Sequence, residues 1–233
     1  TVQLTTNGNG AATVVNDAGL NFAASTVGGN LAATATTGNM TDSGALTIAG
    51  TSSFTTSASG ADITLDTTTN AFTGAVALNT TGDRGDATID GGTTALDIAA
   101  STVSGVLTLT SGNDITDSGT VTVGAWFRAT TDANNGNINM NTFAGRKIHL
   151  NTHGTGNATI VNDARLSFGN SHMTIGGNLS VTATTGNIDE VNHNGSVTVA
   201  GTSSFTTSQN NADIILDDTD HAFTGAVTLS TTG

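Results

Sequence analysis

The chain has no proline, no cysteine and no tyrosine, a single tryptophan and a single lysine, and only 10% of it is charged. Each shortage excludes something. Proline deletes a ladder donor, so its absence suits long, uninterrupted β ladders. Without cysteine there is no disulfide framework and no thiolate metal site. That fits either the cytosol or an exported bacterial chain with no thiol to trap it, and export is the reading adopted. Five Lys and Arg against 18 Asp and Glu give a formal charge of −13. So few cations cannot neutralise a run of phosphates, which argues against nucleic-acid binding, and the same sign disfavours docking on anionic lipid. No apolar run reaches the ~18 residues of a membrane-spanning helix, so no membrane insertion is expected. Aromatics, at 4%, are too sparse to anchor a two-layer β-sandwich.

What fills the chain is Thr, Ser, Asn, Ala and 30 glycines, with a hydrophobic fraction of 36%. The apolar residues are aliphatic and regularly placed, which separates the chain from polar disorder. Self-comparison shows why. Residues Thr34 to Asn39 read TATTGN, as do Thr182 to Asn187. Gly50 to Ser57 (GTSSFTTS) recur letter for letter at Gly201 to Ser208, and Ala71 to Val76 (AFTGAV) at Ala222 to Val227. A weaker copy lies between: Ala23 to Val27 match Ala99 to Val103, and Thr41 to Gly44 match Thr116 to Gly119. The period is about 75 residues, with copies at 2–75, 76–147 and 148–226 and a fourth beginning at 227–233. Val14, Ile89 and Ile160 share a column, as do Leu20, Leu96 and Leu166, and Phe22, Ile98 and Phe168. Gly38-Asn39, Gly112-Asn113 and Gly186-Asn187 form a turn column, since Gly supplies positive φ and Asn tolerates it. The third copy carries an insertion at Asp189 to Asn194 (DEVNHN), placed in a protruding loop.

Within each copy apolar residues alternate with Thr, Asn or Asp, as in Val2-x-Leu4, Leu46-x-Ile48, Ile63-x-Leu65 and Val76-x-Leu78. Period two buries one face of a strand. No helical stripe is present, and the stretch Gly124 to Arg128 is the least regular. The expected fold is an all-β, right-handed parallel β-helix running through residues 1–233 as one continuous solenoid. About three coils of ~25 residues per copy are expected, with four of ~19 as the alternative, giving some nine coils and a rod roughly 45 Å long. The chain begins and ends in mid-pattern without a polar cap, the expectation for an excerpt of a longer rod.

The runs GNLSVTATTGN (Gly177 to Asn187), GSVTVAGTSSFTTS (Gly195 to Ser208) and ADITLD (Ala61 to Asp66) resemble repeats of filamentous-haemagglutinin-like giant bacterial adhesins. The resemblance spans nearly the whole chain through short elements. It implies a parallel β-helical shaft, secretion to the bacterial cell surface, and no catalytic residues.

Several motifs compete with that reading. Arg84-Gly85-Asp86 forms an RGD tripeptide between strands, a candidate adhesion loop in which a carboxylate meets a metal and a guanidinium an acidic pocket. Asp42-Ser43-Gly44 and Asp117-Ser118-Gly119 mimic the paired signature of aspartic proteases, but a rod holds them coils apart, so they read as turns. Asp213, Asp217, Asp218 and Asp220 with His221 form the densest acidic patch, read as solvated charge, with a calcium site as the competing reading. His149, His153, His172, His193 and His221 lack metal-site spacing and read as surface residues. Trp126 and Phe127 are read as buried beneath the loop Asp132 to Asn137, against a patch for self-association or glycan stacking.

The functional expectation is the structural shaft of an extracellular adhesin or surface filament, not an enzyme and without cofactor. Its partners are the continuing chain, like filaments, or a cell surface or polysaccharide. The alternative is a carbohydrate-active β-helix enzyme or polysaccharide-binding module, disfavoured by the lone lysine and the scattered carboxylates. A Thr-ladder face for ice or mineral is a third reading.

Overall fold

The computed structural model describes residues 1–169, 171–190 and 195–232. Among them there is no helix, and the strands pair in parallel, each with the strands one coil before and after. The first copy contains β1 (Ala12–Asn16), β2 (Leu20–Phe22), β3 (Ser25–Val27), β4 (Leu31–Ala35), β5 (Met40–Asp42), β6 (Leu46–Ile48), β7 (Ser52–Ser59), β8 (Ile63–Leu65) and β9 (Ala71–Phe72). The second contains β10 (Val76–Thr81), β11 (Ala87–Asp90), β12 (Leu96–Ile98), β13 (Ser101–Val103), β14 (Leu107–Ser111), β15 (Ile115–Asp117), β16 (Val121–Val123), β17 (Trp126–Thr131) and β18 (Ile138–Ala144). The third contains β19 (Lys147–Asn151), β20 (Ala158–Asn162), β21 (Leu166–Phe168), β22 (Met173–Ile175), β23 (Leu179–Ala183), β24 (Ile188–Glu190), β25 (Val197–Val199), β26 (Ser203–Thr207) and β27 (Ala222–Phe223). β28 (Val227–Thr231) opens the fourth.

The chain winds as a β-solenoid of about 10 turns, alternating between a 13-stranded sheet that starts at β1 and a 12-stranded sheet that starts at β2. A three-stranded sheet, β3-β6-β9, extends the second side in the first copy. Ala12 stands opposite Leu31, and Ser52 opposite Val76, so paired strands lie 19 to 24 residues apart in sequence. Inward side chains of both sheets form one continuous apolar core, from Leu20 to Phe205, nearly all of it below 5% exposure.

About 10 turns over three copies and the start of a fourth agree with the expected three or so coils per copy, and the strand order refines the figure. Each copy crosses the rod seven times, an odd number, so it spans three and a half coils. In the second copy the crossings are β10, β11, β12 with β13, β14, β15 with β16, β17, and β18. Every copy therefore starts on the side opposite its predecessor: β10 lies in the 13-stranded sheet, β19 in the 12-stranded one, and β28 in the first again. The aligned columns consequently do not stack. Leu20 and Leu166 belong to one sheet and Leu96 to the other, and Val14 and Ile160 lie across from Ile89. The spatial repeat is two copies, seven coils, about 34 Å at ~4.8 Å per coil.

Three devices hold the corners. A glycine ladder lets the chain turn closely over the coil below: Gly29 donates to the Gly10 carbonyl and accepts from Gly50, and Gly177 does the same between Gly156 and Gly201. A Cβ on Gly29 would lie 2.4 Å from the Asn9 carbonyl oxygen, and one on Gly177 2.4 Å from that of Thr155, so only glycine fits. In the middle copy the ladder moves to the opposite corner, through Gly85 and Gly105. Buried threonines close the turns: the hydroxyls of Thr56, Thr80, Thr131 and Thr152 donate to the carbonyls of Ala61, Gly85, Gly136 and Gly156 at 2.7–2.9 Å. Outside, a ladder of Asn and Asp side chains links coils, each Oδ1 of the ladder accepting the backbone N–H one coil on, from Asp114 to Asn137 to Asn157 to Asn178.

The middle copy differs from its neighbours inside as well as outside. Where β7 and β26 bury Ser-x-Phe-x-Thr, β17 buries Phe127, Ala129 and Thr131, so its ring sits one inward position earlier. Its partner ring moves in step. Phe72 and Phe223 pair with Ile48 and Val199, but Phe143 pairs with Val121, one inward position earlier, leaving Gly145 where the other copies carry the ring. Phe54 and Phe72 meet edge to face at 6.1 Å, whereas Phe127 and Phe143 lie tilted at 5.0 Å. The irregular sequence around Trp126 is this coordinated exchange, and Phe127 is fully buried within it.

Candidate functional site

Arg84, Gly85 and Asp86 form a corner of the solenoid. Gly85 is buried, and its carbonyl accepts from the Thr80 hydroxyl at 2.9 Å and from Gly105 N–H at 2.8 Å. Gly85 N–H donates to Ser104 Oγ, and Asp86 Oδ1 accepts from Val106 N–H at 2.7 Å. Arg84 holds a φ of 65°. The tripeptide is the counterpart of Asn9-Gly10-Ala11 and Thr155-Gly156-Asn157, each at the head of a glycine ladder. Arg84 and Asp86 are exposed at this corner, with Asp86 Oδ1 held by the Val106 N–H.

Asp42 and Asp117 lie in opposite sheets, so no proton is shared between them. Each carboxylate organises the corner above it. Asp42 accepts from Asn70 Nδ2 at 2.7 Å, and Asp117 accepts from the Asn141 and Thr142 backbone and the Thr142 hydroxyl at 2.6–2.8 Å. In the third copy Glu190 takes this role and His221 that of Asn70. His221 Nδ1 accepts from Val197 N–H, as Asn70 Oδ1 accepts from Leu46 N–H, and its Nε2 bonds Glu190. The side chains are 7% and 1% exposed, so His221 is a buried corner residue and not the surface group expected. Glu190 also accepts from Asp218 N–H. His149 bonds the His172 carbonyl, and His172 bonds Ser196 Oγ. His193 and most of the inserted run, residues 191–194, lie outside the described residues; Asp189 and Glu190 belong to β24. Among the described residues no group of three or more His, Cys, Asp or Glu is placed to hold a metal ion.

Burial pushes the Asp90 carboxyl above its ordinary range, and the charges of Asp132, Asp66 and Asp42 push the same way, against the N–H of Gly92. These residues form an acidic corner beside the 12-stranded sheet.

Trp126 projects outward and is half-buried, not covered by the turn at Asp132 to Asn137. Its ring lies 5.0 Å from Lys147 Nζ and 5.8 Å from Arg128 Cζ, both as cation–π contacts. The indole reaches across two coils to Gly169, where a Cβ would lie 2.2 Å from the ring. Four of the chain's five cations, Arg128, Arg146, Lys147 and Arg165, fall in this region; Arg165 pairs with Asp189 at 2.6 Å, and among the described residues the other three make no ion pair. Sequence reasoning missed this patch, because its members come from different coils. Nearby, where the middle copy lacks the loop carrying Asn70, a shallow recess of about 270 Å³ opens beside Asn141, Thr142 and Asn162.

A model of the family described as repeats of unknown function (DUF5649) matches residues 2–79, 84–146 and 155–230. No curated protein and no solved structure matches the chain.

Proposed function

The chain belongs to this family of repeats, and we propose from that premise that it is the structural shaft of an extracellular adhesin or surface filament. Its work is reach, stiffness and display, with no catalysis. The supporting observation is the parallel pairing from β1 to β28, in which backbone bonds tie successive coils and runs of glycine corners and Asn or Asp ladders reinforce them. Such quasi-one-dimensional stacking transmits load along one axis and allows lengthening by simple addition. The polar carboxylates serve corners, as Asp42, Asp117 and Glu190 do, which leaves them engaged in structure. The sequence resemblance to giant adhesins supports a location at the outer surface of a bacterial cell.

Antibodies to this chain, applied to intact cells that produce it, test the reading. Gold label is expected outside the cell envelope, at a distance that grows with the number of copies. Label seen only after lysis, or turnover of a polysaccharide by the purified chain, would sink it.

A further inference from the structure

The outer face of the 12-stranded sheet carries its charge in an ordered sequence along the rod. Strand register stacks one outward column: Asn39, Asp62, Asp86, Val106, Trp126, Lys147 and Ser167. Its lower part is confirmed by side-chain bonds, each Oδ1 accepting the N–H of the residue above it. The column is acidic on one side of Val106 and aromatic and cationic on the other as far as Lys147; beyond the buried Ser167 it reaches Asp189, which is buried and neutralised by Arg165. The next outward column reads Thr41, Thr64, Thr88, Thr108, Arg128 and His149, and the one beyond it Asp66, Asp90, Thr110, Thr130 and Asn151.

We propose that this face binds a second copy of the chain, the two rods antiparallel about a two-fold axis along β14. Such an axis keeps each column against itself and inverts its order. Lys147 then faces the partner's Asp62, and Trp126 the partner's Asp86, each contact occurring twice. Arg128 faces Thr88, Thr130 faces Asp90, and Asn151 faces Asp66; no acid meets an acid. A parallel pairing, with the axis along the rod, would reverse each strand and set the Asp62 and Asp86 column against Asp66 and Asp90. Charge complementarity therefore selects the antiparallel arrangement. Trp126 supplies the aromatic anchor that interfaces favour. Seven strands of about 17 Å, spaced ~4.8 Å, cover roughly 550 Å² a side, or ~1,100 Å² in all, the small end of specific association.

The proposal deepens the shaft reading by naming how shafts meet, and the two fail separately: a monomeric rod can still carry surface label. Sedimentation velocity of the purified chain is the test. A reversible dimer is expected at about 20 mM salt, giving way to monomer near ~0.5 M. Lys147→Asp and Asp62→Lys are each expected to weaken self-association by about tenfold or more, and an equimolar mixture to restore it, because both contacts in the mixed pair are again complementary. Asp62→Asn keeps the Oδ1 acceptor for Asp86 N–H and guards against misfolding; it should weaken the dimer alone. A monomer at all concentrations would overturn the proposal, as would a dimer indifferent to these variants. So would binding of a soluble acidic polysaccharide that Lys147→Asp abolishes while leaving the mass unchanged, which would make the patch a glycan site.

Discussion

Single side chains matter here according to the corner they serve. Thr131 is buried, donates to Gly136 O at 2.8 Å and accepts from His153 N–H at 3.1 Å. Thr131→Val keeps the shape but orphans both groups, and is expected to cost about 1–3 kcal/mol in denaturant unfolding. The same change at outward Thr102, an exposed strand position, should stay within ~0.5 kcal/mol. Asp90 makes the opposite prediction. Its carboxyl is held above the ordinary range, so the fold favours the neutral form. The stability it contributes is complete below its unfolded pKa and is lost as pH rises through the folded value. Asp90→Asn retains an acceptor for the Gly92 N–H and removes the charge. Its melting temperature should exceed that of the parent at neutral pH, the gap closing as pH falls toward about 4.

At the scale of strands and turns, glycine placement decides more than strand propensity. Gly177→Ala would push a methyl to 2.4 Å from the Thr155 carbonyl and 2.9 Å from that of Gly156. Backbone cannot yield as a flexible side chain does, so a loss of about 1–3 kcal/mol is expected in thermal or urea unfolding. Much at this level was legible in the residues: the alternation at Leu46-x-Ile48 and Ile63-x-Leu65, the Gly-Asn turns and the period of about 75 residues all became strands, corners and copies. The half coil was not. A column of like residues states that three positions have the same surroundings, and opposite sides of a two-sided rod offer the same surroundings. The paired ring shift was hidden for a related reason, since moving Phe by two residues preserves alternation while changing which ring it meets. Trp126 was misplaced because burial statistics for tryptophan say nothing of the glycine, Gly169, that makes room for it on the outside. His221 was misread because its partner, Glu190, lies 31 residues earlier.

For the whole molecule, length should follow copy number. A chain with six copies in place of three is expected to be longer by about 50 Å, from ten or so added coils at ~4.8 Å each, in small-angle scattering or electron micrographs. Separate compaction of each copy would give a bent string of beads instead.

The odd number of crossings per copy has an evolutionary edge. Losing one copy swings every later loop around to the far flank of the rod, whereas losing two shortens it and leaves the facing intact. Unequal recombination between matched stretches, such as Gly50 to Ser57 and Gly201 to Ser208, removes or adds copies in twos. The genetic change that the sequence makes easiest is thus the one that keeps the solenoid's front and back in place.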